Sequence, residues 1–339
     1  MDRSGRQPPI YITVLNRLDI EELQLADDEI LSAIEQGLGA QGRGETAIEP
    51  RTHLTPDPAV PGHFNVLRGA IRGSVGRAGV KVIGDYYDNY KLDLPSELGT
   101  LLLMDPANGA PQAIVEASHL TDMRTGAVSA VGAKHLARKG AKILGHIGAR
   151  GTAYWNVRLM CRLFDFSEVR VHSRRPESRD AFAVRLRSDL PVKVVVTEDW
   201  RTCVEGADIV VEASRLVAPE PLLKTEWIKK GSLVMPYGTM SAVELSLTDI
   251  MDKILMDDWG QRFGTKGALR PHVDTGRLSE KNFYGELGQV VAGLKPGRER
   301  EDETILLWHR GLSLSDVALG HAMLEKAARL GIGQRLRWA

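Results

Sequence analysis

The 339-residue sequence contains only two cysteines, Cys161 and Cys203. Two thiols cannot form a disulfide framework or complete a zinc site by themselves, so we expect both to pack as small apolar side chains and predict no metal. The sequence also lacks the run of roughly 18 apolar residues that a membrane span needs. Its first apolar stretch is too short for a secretory signal peptide. These absences favour a cytoplasmic protein.

An excess of either charge is also missing, because 44 Lys and Arg residues balance 44 Asp and Glu residues. No overall field therefore draws the chain to nucleic acid or to an anionic membrane. The apolar fraction of 43% and the charged fraction of 26% are those of an ordinary globular protein. The length suffices for two domains with proper cores.

Residues 142–175 follow the order of a nucleotide-binding βαβ unit. The pattern predicts a strand over 143–147, a glycine turn, a helix over 154–164 and a strand over 169–172. Glycines in such a turn let backbone N–H groups approach a pyrophosphate at the start of the helix. The turn is therefore predicted to bind a dinucleotide through Gly148, Ala149, Arg150, Gly151 and Thr152. Arg150 occupies the place of the usual second glycine, where it either covers the pyrophosphate or blocks its approach.

Basic residues follow the second strand of this unit. An acidic residue at this position usually binds the ribose hydroxyls of NAD, but here the sequence reads Ser173-Arg174-Arg175. A hydroxyl and two guanidiniums suit a 2′-phosphate, because Arg offers planar paired donors to phosphate oxygens. We therefore predict that NADP(H) is preferred, with NAD(H) possible.

The pattern along the chain predicts two α/β domains. Strand-like runs broken by Pro and Gly occupy residues 46–112, and the Asn108-Gly109 pair predicts a hairpin turn. A long helix over 121–139 would link this half to a doubly wound parallel sheet of the Rossmann type. The predicted division is a mixed α+β substrate and dimerisation domain (1–128 with 313–339, including a C-terminal helix) and a dinucleotide domain (129–312).

The segment from Gly79 to Leu136 resembles the ornithine cyclodeaminase/mu-crystallin family. The most specific part is LTDMRTGAVSA (Leu120–Ala130), which is similar to the family's motif at the start of the linking helix. Further similarities follow towards the C-terminus at Glu286–Gly288, Gly293, Pro296–Arg298, Gly311, Asp316 and Gly331–Gly333. The resemblance implies an enzyme that binds NAD or NADP, acts on amino or imino acids and forms a homodimer through the sheet domain.

Three cationic residues match the family's substrate-carboxylate positions: Arg51, Lys81 and Arg124. An α-carboxylate is well bound by a bidentate guanidinium together with a point charge. Because Arg124 lies near the predicted start of the linking helix, the helix dipole would also favour an anion there. The alternative is that both arginines form structural salt bridges and Lys81 faces solvent. By the same resemblance, Thr125 and Ser214 are predicted to contact the cofactor.

The sequence departs from the family in one loop. Relatives carry an aspartate after a late strand of the nucleotide domain, whereas residues 236–241 read PYGTMS. Oxidising or cyclising an amino acid needs a base, whereas reducing an imine needs only a protonated iminium aligned with the nicotinamide. We therefore predict an imine reductase, with Asp85 and His309 as candidate proton-transfer residues. A cyclodeaminase that uses bound NAD and a non-catalytic NADPH-binding carrier remain the alternatives.

Overall fold

The computed structural model describes residues 9–214, 216, 219–236, 238, 240–263 and 270–339. They form two compact units. The first unit contains residues up to 33, 45–121 and 313–339, and the second contains 34–44 and 122–312. Within the described ranges, no helix is both long and apolar enough to cross a membrane.

The strands are, in chain order, β1 (Tyr11–Leu15), β2 (Thr46–Leu54), β3 (Gly62–Ile71), β4 (Arg77–Tyr86), β5 (Glu97–Met104), β6 (Pro111–Glu116), β7 (Ile143–Ile147), β8 (Glu168–His172), β9 (Val194–Val196), β10 (Ile209–Glu212), β11 (Leu233–Pro236), β12 (Lys253–Met256), β13 (Phe283–Glu286), β14 (Ile305–Trp308) and β15 (Gln334–Arg337). The helices are α1 (Arg17–Glu22), α2 (Asp27–Gly42), α3 (Ala117–Leu136), α4 (Ala153–Leu163), α5 (Pro176–Asp189), α6 (Trp200–Val204), α7 (Arg270–Asp274), α8 (Leu287–Val291) and α9 (Ser313–Leu330).

The first unit is built on a mixed sheet with the strand order β15-β1-β6-β5-β4-β3-β2 among its described residues. β1 and β6 are parallel, and the other pairs are antiparallel. The predicted hairpin joins β5 to β6, with Gly109 at φ 77°. α9 packs on β3, β4 and β5. The approach is close at Gly79, where a Cβ would lie 2.7 Å from Val317 Cγ2.

The second unit carries a parallel sheet with the order β13-β12-β14-β11-β10-β7-β8-β9 among its described residues. From β7 the chain first adds β8 and β9 on one side, then crosses to β10 and β11 on the other. The sheet is therefore doubly wound, and its topological switch point lies between β7 and β10. Open sheets of this kind bind ligands beyond the carboxyl ends of their strands at such a point. The predicted fold class is confirmed.

The linking helix begins earlier than predicted. α3 starts at Ala117, because the Glu116 carboxylate accepts the N–H groups of Ser118 (2.6 Å) and His119 (3.0 Å) and thereby caps the helix. Arg124 consequently lies at the end of the second turn. The prediction that the helix dipole contributes at Arg124 is therefore wrong, since that effect falls off within the first turn.

Candidate active site

The predicted glycine turn lies at the switch point of the second unit. Gly148 has φ 104°, and a Cβ there would lie 2.7 Å from Ala213 O, so only glycine fits where this turn meets the loop after β10. Gly148 N donates to His172 O at 2.9 Å. Gly151 has φ 57°. The turn thus has the conformation and the close backbone approach that a dinucleotide-binding loop needs.

A buried histidine supports this turn and was not predicted from the sequence. His146 Nδ1 lies 3.0 Å from Gly148 O, and its Nε2 lies 3.1 Å from Asn156 Nδ2. Because a carbonyl oxygen only accepts, Nδ1 carries the proton and Nε2 accepts from Asn156. Burial lowers the pKa of His146 to about 4, so the ring is neutral near pH 7. The signal in the sequence was a polar residue inside an apolar strand.

α3 packs directly against the glycine turn and the start of α4. A Cβ on Gly126 would lie 2.5 Å from the carbonyl carbon of Trp155, and a Cβ on Gly151 would lie 3.4 Å from Asp122 Oδ1. Thr125, adjacent to Gly126, is buried. The helix that carries Thr125 and Arg124 is therefore seated beside the predicted dinucleotide site.

The buried Arg124 guanidinium lies against Gly311. Gly311 has φ 90°, and a Cβ there would overlap the guanidinium. The loop that contains Gly311 is held by Asp257, which was not predicted: its Oδ2 accepts the N–H groups of Arg310 and Gly311, each at 2.9 Å. Asp257 directly follows β12, a strand that the sequence analysis also missed.

His309 is buried in the same unit, with its Nε2 2.8 Å from Ser129 Oγ on α3. Burial, and then the positive charge of Arg124, lowers the pKa of His309 to about 3. The ring is therefore neutral near pH 7 and can exchange hydrogen bonds there without carrying a charge.

A buried carboxyl group ends β10 at the switch point. Glu212 Oε1 accepts from Ser214 N at 2.7 Å and from Ser214 Oγ at 2.5 Å. Burial raises the pKa of Glu212 to about 7, although the two hydrogen bonds from Ser214 oppose this shift. Ser214 is thus next to the glycine turn, as a cofactor-binding residue would be.

The basic residues predicted to read a 2′-phosphate follow β8 at the same edge of the sheet. Ser173 is half-buried, whereas Arg174 and Arg175 are exposed. Arg175 precedes α5, which starts with Pro176. Among the described residues, neither guanidinium has a salt-bridge partner. Arg150 in the glycine turn is exposed as well.

In the first unit, Lys81 is buried, with 1% of its side chain exposed, and does not face solvent. Its Nζ donates to Asp316 Oδ1 at 2.7 Å and to Thr121 Oγ1 at 3.1 Å. Asp316 lies in the first turn of α9, on the sheet face that α9 covers. The carboxylate supplies the countercharge that an ammonium at this depth needs.

The other two predicted site residues of the first unit, Asp85 and Arg51, lie on β4 and β2, the two strands that flank β3. Asp85 follows Lys81 by four positions on β4 and therefore points to the same face; it is buried and is paired across the strands with His63 and Glu97. Arg51 is half-buried at the register shift of β2 opposite β3.

The loop that lacks the expected aspartate contains Tyr237 and Thr239, which lie outside the described residues. Gly238 N donates to His309 O at 3.3 Å, so the loop lies beside His309. Met240 is buried and has φ 51°, a conformation that side chains rarely adopt.

Similarity to known proteins extends over nearly the whole chain. A profile of the ornithine cyclodeaminase/mu-crystallin family matches residues 12–330. N-((2S)-2-amino-2-carboxyethyl)-L-glutamate dehydrogenase of Staphylococcus aureus is 30% identical over 329 residues, which cover 95% of this chain and 97% of that protein.

Two solved structures are similar throughout. Delta(1)-pyrroline-2-carboxylate reductase of Thermococcus litoralis, in complex with NADH and L-proline, has a TM-score of 0.89 and 29% identity, with 95% of this chain and 99% of that one covered. An archaeal alanine dehydrogenase dimer with bound NAD has a TM-score of 0.88 and 25% identity, with 97% and 100% covered.

Proposed function

Because the chain belongs to the ornithine cyclodeaminase/mu-crystallin family, we propose that it is an NAD(P)-dependent oxidoreductase that interconverts a small α-imino acid and its amino acid, working as an imine reductase. The relatives named above are dehydrogenases and a reductase, and two of their structures hold NADH or NAD. The observation that carries the proposal is the seating of α3, with Arg124, against the glycine turn at the switch point.

The second unit holds the dinucleotide. The backbone of residues 148–152 receives the pyrophosphate at the start of α4, and Ser214 and Thr125 contact the rest of the cofactor. When bound, the reduced nicotinamide supplies the hydride that substrate Cα accepts. His146 keeps the turn in shape through its hydrogen bond to Gly148 O.

Arg124, Lys81 and Arg51 hold the substrate carboxylate in this proposal. Arg124 provides a planar fork for two carboxylate oxygens, and its position is fixed by the Gly311 loop. Lys81 provides a point charge that Asp316 holds in place. Arg51 is the third residue of this group. It lies at the register shift of β2, and irregularities of this kind often change the direction in which a side chain points.

The proton that the product amine needs comes with the substrate as an iminium, so the chain does not have to deliver a full proton during hydride transfer. His309 is neutral near pH 7 and serves as a hydrogen-bonding group. Asp85, on the same strand face as Lys81, is the candidate that exchanges protons with the product amine.

NADP(H) is the preferred cofactor in this proposal, since the exposed Arg174 and Arg175 follow β8, where an acidic residue would bind NAD. Both cysteines are thiols, in keeping with the reducing cytoplasm in which we place the enzyme.

The first unit makes a homodimer through the sheet face that α9 leaves open. That face is apolar and partly exposed: Val82 is 38% and Leu98 46% exposed. Sedimentation should give a dimer for the wild type and a monomer for Val82→Glu, because a charge there would be buried. Val184→Glu, at an exposed valine of α5 in the second unit, is the matched control and should stay dimeric. A dimeric Val82→Glu protein would contradict this interface.

The activity is tested by following NADPH absorbance with a panel of imines. The panel contains Δ1-pyrroline-2-carboxylate, pyruvate with ammonia, and 2-oxoglutarate with 2,3-diaminopropionate; the last two pairs condense to imines whose reduction would give the amino acids in the relatives' names. Arg124→Lys should lower kcat/KM by about 100-fold, because the charge remains and the bidentate contact is lost. Lys81→Met should be at least as damaging, whereas Lys139→Met, at an exposed lysine, should match the wild type.

Assays of the wild type and the same variants also distinguish the proposed reductase from two alternative functions. A cyclodeaminase would convert ornithine to proline and ammonia without net NAD consumption, which the loop without an aspartate disfavours. A non-catalytic carrier would bind NADPH but leave it unoxidised with every member of the panel, and Lys81→Met would then change nothing.

A further inference from the structure

Glu212 is a buried acid that the proposed chemistry does not use. It ends β10 at the switch point, and only 1% of the residue is exposed. Both hydrogen bonds to its Oε1 come from Ser214, and between these two residues lies Ala213, whose carbonyl oxygen touches Gly148 of the dinucleotide turn. A carboxyl group is thus built in directly beside the site of a diphosphate.

We propose that Glu212 is a positioning residue for the dinucleotide, which orients Ser214 and couples cofactor affinity to the uptake of a proton. This inference rests on the proposed function, since it assumes that a dinucleotide binds at the glycine turn.

The orienting step follows from the hydrogen-bond inventory. The Ser214 hydroxyl has one hydrogen, and it is donated to Glu212 Oε1. Its remaining lone pairs can only accept, so Ser214 offers the cofactor an acceptor that suits a ribose hydroxyl. With Ser214 N also bound to Oε1, the loop after β10 is fixed at two adjacent points.

The coupling to pH follows from charge. Burial raises the pKa of Glu212 to about 7, so near neutral pH the free protein contains both protonation states. The ionised form places a negative charge beside the diphosphate in a poorly solvated edge of the sheet, where repulsion of this kind weakens binding by about tenfold. The cofactor therefore binds the protonated form more tightly, and affinity falls as pH rises through 7.

Other titratable or charged groups on the elements packed around Glu212 do not produce the same signal. β7 carries His146, with a pKa of about 4, and α6 carries Cys203, with a pKa of about 12, so neither titrates between pH 6 and 8. β8 ends in His172 and the glycine turn carries Arg150. Both remain in a Glu212→Gln variant, so comparison with the wild type cancels their contribution.

The test is the dissociation constant of NADH, measured without substrate by the fluorescence of the bound nicotinamide from pH 6 to 8. NADH is chosen because it lacks the 2′-phosphate that titrates in this range. The wild type should lose affinity by about fivefold across the range, because small fractions of the weaker and the tighter binding form remain at its two ends. Glu212→Gln, which keeps an acceptor oxygen but never ionises, should bind with little dependence on pH.

Ser214→Ala provides a second variant if Glu212→Gln fails to fold. Loss of the hydroxyl removes a hydrogen bond that favours the ionised carboxyl group, so the fall in affinity should move to higher pH. A flat wild-type profile, or an unchanged slope in Glu212→Gln, overturns the inference while NADH binding and turnover leave the proposed function standing. Failure of NADH and NADPH to bind at any pH overturns both.

Discussion

Replacing Glu212 with glutamine should make the free protein more stable at high pH, in the absence of any cofactor. Burial raises the pKa of the Glu212 carboxyl group from 4.5 to about 7. Between these values the unfolded chain ionises and the folded chain stays protonated, so the wild type loses about 1.4 kcal/mol per pH unit from this group. The loss begins above the unfolded pKa of 4.5 and is complete above 7. It amounts to about 3 kcal/mol relative to a side chain that never ionises.

The assay is urea denaturation at pH 5, 6, 7 and 8, followed by circular dichroism. The difference in unfolding free energy between Glu212→Gln and the wild type isolates this group, because every other titration is shared. That difference should grow in favour of the variant from pH 5 to 7 and then level off. The same comparison with Glu22→Gln, at an exposed glutamate, is the control. A constant difference for Glu212→Gln would refute the reasoning.

Three further predictions concern other parts of the site. Gly311→Ala should lower kcat/KM by about 100-fold or more with little change in NADPH affinity, because a Cβ would displace the Arg124 guanidinium, and steady-state kinetics with cofactor titration separate the two effects. Arg174→Ala should raise KM for NADPH by about tenfold and leave KM for NADH unchanged; equal effects on both would contradict a 2′-phosphate contact. Lys81→Met should lower the unfolding free energy by about 3 kcal/mol, because Asp316 loses its ammonium partner, and a double variant with Asp316→Leu should recover most of it in urea melts.

The strands of the nucleotide unit were the most predictable part of the fold. β7 (143–147) was predicted to the residue, because it is a short apolar run between residues that end strands. β15, with the sequence QRLR, has no such pattern and exists because it pairs with β1. The start of α3 was missed because Glu116 is not among the usual capping residues. Local sequence patterns therefore predicted strands that are marked by a short apolar run. They failed where pairing with another strand, or an unusual capping residue, determines whether an element forms or where it begins.

The candidate site shows even more clearly that local sequence patterns do not predict long-range contacts. The residue types for a carboxylate and a dinucleotide could be found in the sequence, and the family match supports the class of reaction. The contacts that hold these residues in place could not be found in the sequence. Asp257 accepts hydrogen bonds from backbone N–H groups 53 and 54 positions away, in the loop that contains Gly311, and Gly311 in turn contacts the Arg124 guanidinium. Such long-range support depends on sheet order, which sequence periodicity does not determine.

The favoured direction of catalysis follows from the protonation states of the substrate and of the groups around Arg124. Around Arg124, the described groups offer little that could accept a proton from an ammonium substrate: His309 has a pKa of about 3, and Asp257 binds backbone N–H groups. Oxidation of an amino acid must therefore wait until solution pH supplies the neutral amine, whereas an iminium already carries the proton that reduction needs. Reduction should accordingly be favoured at neutral and lower pH and oxidation at alkaline pH, because Asp85 is the one base in the proposal and the described groups around Arg124 supply none.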